Sequence, residues 1–127
     1  MDNAYLYNTL SLAYLGDAAY EVLVRNRLVS SGKYPPGVLH KMALNYVSAI
    51  SQSKACDVLL PMLNEQEQSV FQRARNSNPV NIAKHASRGD YHKATALEAV
   101  FGYNYLLGNS DRLNELFEAI YSYLSNE

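Results

Sequence analysis

Hydrophobic residues recur along this chain at spacings of three and four, the pattern of helices packed through one face. From Leu10 the spacing holds to Val29 and ends near Ser30-Ser31-Gly32. Upstream, Asp2 and Asn3 can cap a first short helical turn. Lys33-Tyr34-Pro35-Pro36-Gly37 is a turn that cannot be helical throughout. Val38 to Leu63 is again helical in pattern, through Leu39, Met42, Ala43, Tyr46, Val47, Ile50, Val58, Leu59 and Met62. Its middle is rich in Ser and Asn (Asn45, Ser48, Ser51, Ser53), which predicts a break or kink there. Asn64-Glu65-Gln66-Glu67 has the form of a capping box opening a helix to about Arg75. Asn76-Ser77-Asn78-Pro79-Val80-Asn81 reads as a loop. Asp90 is the expected cap of a helix running to Leu107 and stopped at Gly108-Asn109. Ser110, with Asp111 in the first turn, is the expected cap of a last helix to about Leu124. No alternating strand pattern, internal repeat or low-complexity tract is present. The prediction is an all-α fold of about six helices, a single domain over residues 1–127.

Two of these helices carry a carboxylate where an apolar helix should have none. The face centred on Asp17 also holds Leu6, Leu10, Ala13, Tyr14, Tyr20, Glu21, Val24 and Leu28. With Leu12, Leu15, Ala19, Val22 and Leu23 opposite, this helix is apolar nearly all round and is expected to be the central one. The face centred on Glu98 holds Tyr91, Ala94, Thr95, Phe101, Gly102 and Tyr105. An ionised carboxylate out of water is costly unless paired, hydrogen-bonded or bound to a metal. The two anomalies together predict that the helices face each other and share a cation. On periodicity alone an ion pair with an arginine such as Arg25 or Arg75 is the commoner solution, and it stays open at this point. Oxygen ligands suit magnesium, which is often held by one or two carboxylates with waters and phosphate oxygens.

Composition narrows the field. Hydrophobic residues make up 48% and charged residues 18%, ordinary for a water-soluble globular chain. The 11 tyrosines, with no tryptophan, fall largely at helical spacing and are expected in the core or at its rim. A net charge of −1 gives no overall attraction for nucleic acid, but its distribution is uneven. Between Gln68 and Lys93 the cations are Arg73, Arg75, Lys84, Arg88 and Lys93 against one acid, Asp90. The single cysteine, Cys56, excludes an intrachain disulfide and is expected to be a buried structural thiol. No apolar run reaches membrane-spanning length, and the start lacks a signal-peptide layout, so a cytoplasmic protein without membrane association is expected. No Gly-rich phosphate loop or nucleophile–base pair points to a small-molecule enzyme.

Leu15-Gly16-Asp17-Ala18, followed by the run from Ala96 through Leu97-Glu98-Ala99-Val100-Phe101-Gly102 to Leu106, resembles the ribonuclease III catalytic domain. The resemblance is closest to the Mini-III ribonucleases, which are that domain without a double-stranded-RNA-binding domain. It continues through Tyr46-Val47-Ser48-Ala49 and Arg73-Ala74-Arg75-Asn76 and so covers almost the whole chain. It implies an all-α helical bundle that forms a homodimer, with one magnesium-dependent site per subunit (manganese as a substitute) along a valley for an RNA duplex. Each site would hydrolyse one strand, leaving 5′-phosphate and 3′-hydroxyl ends. The implied substrate is precursor 23S ribosomal RNA, and Asp17 and Glu98 match the catalytic, metal-holding aspartate and glutamate.

The chain departs from the longer ribonucleases III, which have acids where it has Ala13 and Thr95 and a glutamate where it has Leu10. Fewer direct metal ligands remain, to be completed by water or by Glu21, although an exposed or Arg-paired glutamate is the commoner role for that residue. Arg73, Arg75, Lys84, His85 and Arg88 are the candidates for phosphate contacts with RNA. The histidines form no metal-ligand spacing with Cys56. Dimer contacts could involve Val100-Phe101 or the tyrosine-rich last helix. The competing reading is a non-catalytic helical dimer that binds structured RNA or a ribosomal partner.

Overall fold

Asn8 begins the first helix: its Oδ1 accepts from the backbone N–H groups of Leu10 and Ser11 at 2.9 and 3.1 Å. That helix, α1, spans Thr9–Ser31. The structure is a computed structural model that describes residues 7–77 and 87–126, so the expected cap at Asp2 and Asn3 lies outside the described residues. The Pro35-Pro36 pair shortens the following turn. Pro36 takes the first position of α2 (Pro36–Val47), where a missing N–H costs nothing, and Gly37 is helical rather than part of the turn. The break expected among the Ser and Asn residues falls at Ser48, whose extended backbone ends α2. Its hydroxyl accepts from Ser51 N at 3.2 Å to open α3 (Ala49–Leu59).

A 3₁₀ turn at Leu60–Met62 leads to α4 (Glu65–Arg75), which starts in the expected capping box: Glu67 N donates to Asn64 Oδ1 at 2.8 Å and Asn64 N to Glu67 Oε1 at 2.9 Å. α5 (Arg88–Leu106) is capped by Ser87 rather than by Asp90. The Ser87 hydroxyl accepts from Asp90 N at 3.0 Å, and Asp90 sits in the first turn, where its charge suits the helix dipole. Hydrogen bonds from the Ser53 and Ser87 side chains hold the Asp90 carboxyl below its ordinary value. Gly108, at φ 71°, supplies the left-handed residue that ends α5. The final helix, α6 (Ser110–Ser125), takes Asn109 as its cap, without a side-chain hydrogen bond, and Ser110 as its first residue. Among the described residues there is no strand, and the fold is all-α as expected. Of the predicted loop at 76–81, only Asn76 and Ser77 are described.

The central helix is α5, not α1. Its residues Ala96, Leu97, Ala99, Val100 and Phe101 are fully buried, with α1, α3 and α4 packed round it and α6 closing over α3. Val100 and Phe101 therefore belong to the interior of the chain and are not a dimer face. Helix α1 is buried on one side only, through Leu12, Ala13, Gly16, Tyr20, Val24 and Leu28. Tyr14 (85% exposed) and Val22 (63%) face outward, so the apolar surround read from the sequence is partly a surface. Tyr20 meets Phe101 edge-on at 5.1 Å, and its hydroxyl donates to Tyr46 O at 2.8 Å. Tyr46 stacks on Tyr121 at 4.9 Å, and the Arg27 guanidinium lies 4.4 Å from the Tyr121 ring. Cys56 is buried as expected, and that burial pushes its thiol up to about 12.

Helices α1 and α5 touch through their backbones. A Cβ on Gly16 would lie 1.6 Å from Glu98 O, and one on Gly102 would lie 1.9 Å from Leu12 O. No side chain fits at either position unless the helices separate. Gly16→Ala and Gly102→Ala are each expected to cost about 3 kcal/mol, read as a lower urea midpoint with unchanged slope. An unshifted midpoint in both would mean that the helices do not approach this closely.

Candidate active site

The backbone contact that excludes a Cβ at Gly16 also sets two carboxylates side by side. Asp17 follows Gly16 directly, and the carbonyl pressed against Gly16 is that of Glu98. Asp17 is exposed, at the edge of the buried face of α1 and not at its centre, while Glu98 is mostly buried. Burial, and next the negative charge of Asp17, push the Glu98 carboxyl up to about 8 from its ordinary 4.5. The amide of Gln52 pulls the other way, a hydrogen bond shared with the Asp17 side chain adds to the rise, and Glu21 contributes a smaller repulsion.

Neither acid has the arginine that periodicity allowed. Arg25 pairs with Glu21 at 2.7 Å, one turn along α1, so Glu21 takes the Arg-paired role. Among the described residues no ion pair reaches Asp17 or Glu98, and no set of three or more His, Cys, Asp or Glu side chains gathers as metal ligands. Ala13 is packed in the core, and the Thr95 hydroxyl donates to Tyr91 O at 3.0 Å within its own helix. What remains is two hard oxygen donors sharing negative charge with no cation beside them among the described residues. That donor set fits a small divalent cation which keeps several waters.

A buried carboxylate need not look like this. Glu67 is 0% exposed, yet Arg112 donates to it from Nε at 3.0 Å and from Nη2 at 2.6 Å. Asn104 adds a third side-chain bond at 2.9 Å. Burial alone would raise Glu67, but these bonds and the Asn64 N–H outweigh it and hold the carboxyl below its ordinary value. Glu67 is a neutralised structural ion; Glu98 is not.

Sequence reasoning missed Gln52. Its side chain is 2% exposed on α3, with Nε2 donating to Glu98 Oε2 at 3.3 Å. The available signal was its register: Gln52, Ala55, Cys56 and Leu59 form one buried stripe, so an amide there must answer a polar group inside.

The basic candidates lie around the ends of α4 and α5. Arg73 and Arg75 occupy the last turn of α4, and Arg88 opens α5. Arg75 and Arg88 are exposed. Arg73 is half-buried, with Nε and Nη2 enclosed and without hydrogen-bond partners among the described residues. His92 Nδ1 pairs with Arg75 O at 2.7 Å and ties the two helices together. Lys84 and His85 lie outside the described residues.

The family profile described as "Ribonuclease III domain" matches residues 10–109. The chain is 42% identical to a Brevibacillus brevis protein named Mini-ribonuclease 3, across 96% of this chain and 91% of that one. A Symbiobacterium thermophilum protein of the same name is 44% identical, covering 87% and 85%. A crystal structure of a Fusobacterium nucleatum protein superposes with a TM-score of 0.82 at 32% identity, covering 89% of this chain and 92% of that one.

Because Glu98 holds its proton up to about pH 8 when folded but releases it near 4.5 when unfolded, the folded state binds more protons in that window. Stability from this group is therefore complete below the lower value and is lost as pH rises through the upper one. In chelator-treated buffer, the stability of the parent relative to Glu98→Gln is expected to fall by about 4 kcal/mol between pH 5 and pH 9. Urea melts of the two proteins at each pH measure it, and parallel curves would refute the assignment.

Proposed function

The chain belongs to the ribonuclease III family of endoribonucleases, and from that premise we propose that it cleaves RNA duplexes with a magnesium ion held by Asp17 and Glu98. The observation that carries this reading is the pair of carboxylates at the helix crossing, unneutralised by any described arginine or lysine. When bound, magnesium (or manganese in its place) supplies Lewis-acid polarisation of a phosphodiester and activation of water. The chain's own residues do the rest. Glu98, recessed, would hold the ion as a carboxylate, its proton released to solvent. Asp17, exposed, meets the solvent side from which an RNA backbone approaches. With these two acids as the ligands among the described residues, water and phosphate oxygens would supply the other donors.

The proposed substrate is the stem of precursor 23S ribosomal RNA, cut on both strands by a homodimer to leave 5′-phosphate ends. A-form RNA is read through phosphates and 2′-hydroxyls, which suits a basic edge without base-reading elements. Arg75 and Arg88 are the exposed candidates for that edge, with Lys84 and His85 in the segment between them. Arg73 would have to reorganise to join them, since part of its guanidinium is enclosed. No helix among the described residues is long and apolar enough to cross a membrane, in keeping with a cytoplasmic substrate.

Asp17→Asn is expected to cut duplex cleavage by about a thousandfold, the scale of several kcal/mol of lost charge stabilisation, while duplex binding persists. Cleavage of a long RNA duplex, with magnesium and then with chelator, measures it; a variant that cuts at the parent rate ends the reading. Arg75→Ala and Arg88→Ala should each weaken duplex binding across sequences and lower the salt slope by about one. Filter binding between low and high salt tests this, and unchanged slopes would remove both residues from the interface.

A further inference from the structure

Two carboxylates that meet at a helix crossing repel each other once both are ionised, as cation binding requires, so the charged pair does not fix its own geometry. Something else must hold Glu98 in place before a cation arrives. The neighbour that meets it from a third helix is Gln52. Its side chain is 2% exposed, and its Nε2 lies 3.3 Å from Glu98 Oε2. Gln52 is itself held firmly. Its N–H donates to Ser48 O at 2.9 Å, its carbonyl accepts from the Cys56 thiol at 3.4 Å, and the Ser48 hydroxyl caps the turn in which it sits. Burying an amide is costly unless it is hydrogen-bonded, so the contact with Glu98 is a bond the fold has reason to keep.

The choice of residue type is informative. A lysine or arginine here would neutralise Glu98 as Arg112 neutralises Glu67, and would cancel the negative potential that draws a cation. A glutamate would add a third repelling acid. An amide donates a hydrogen bond while leaving the charge of the pair intact. We infer that Gln52 is a positioning residue, which fixes the orientation of Glu98 from α3 so that the carboxylate pair binds its divalent cation without first reorganising. This rests on the proposed metal site at Asp17 and Glu98. Groups that orient ligands in this way set metal affinity more than the rate of the loaded site.

The test replaces the amide with an apolar side chain of similar length, Gln52→Met, with Gln52→Leu as a second variant should the first lose the parent's circular dichroism. Two readouts are followed as magnesium chloride is titrated: the thermal midpoint of the protein alone, and the rate of duplex cleavage. The expected result is an increase of about tenfold in the magnesium concentration giving half the full effect in both. The KM for duplex should stay unchanged, and kcat at saturating magnesium should return to within a few-fold of the parent. A folded variant with the parent's magnesium requirement in both readouts overturns the inference and leaves Gln52 a satisfied core amide. A variant with a low kcat that no magnesium concentration restores also overturns it. A parent that shows neither magnesium-dependent stabilisation nor cleavage refutes the metal site itself, and the positioning role with it.

Discussion

The direct contact of two helix backbones, at Gly16 on α1 and Gly102 on α5, is the constraint on which the rest of the molecule depends. The Glu98 carbonyl and the Leu12 carbonyl occupy the space where Cβ atoms would otherwise stand. Helices with ordinary side chains at the contact stand about 8–10 Å apart, and only residues without side chains permit less. Because Asp17 adjoins one of these glycines and Glu98 supplies the carbonyl that presses on the other helix, the distance between the acids is set by main chain. Once both are ionised, the acids themselves add only repulsion.

That repulsion is legible when the two buried glutamates are compared. Glu67 is the more deeply enclosed, yet a guanidinium fork, an asparagine amide and a helix-start N–H make it an ordinary ion of the interior. Glu98 has one amide and a second carboxylate for company, and it holds its proton. Burial alone does not separate structure from chemistry. The separation comes from whether the surrounding protein completes the charge balance or leaves it for something that binds.

Much of this could be read from the residues. Helical spacing and cap chemistry located the elements, and the capping box at Asn64 appeared where its side chains said it would, because such caps are local. Errors arose where two caps compete within a few residues: Ser87 outbid Asp90, since an N-cap must precede the dipole that Asp90 then complements. Ranking α1 as the central helix failed for a different reason. An apolar surround records burial against anything, including surfaces that this chain does not itself cover, and Tyr14 and Val22 lie on such a surface. The pairing of Asp17 with Glu98 could be anticipated from two misplaced charges. Gln52 was passed over despite its register on the buried stripe of α3, because a lone amide in a serine-rich stretch looks like a helix break.

The same crossing has a consequence for how such a scaffold can drift over evolutionary time. Shape and chemistry are assigned to adjacent but separable positions: the glycines hold the architecture, and the acids only burden it. A descendant that exchanged Asp17 for asparagine or Glu98 for glutamine would fold at least as well, relieved of a like-charge encounter, while one that lost a glycine would forfeit the bundle. Catalytically silent copies that keep their form are thus an easy destination for this architecture, one amino-acid change away and downhill in stability.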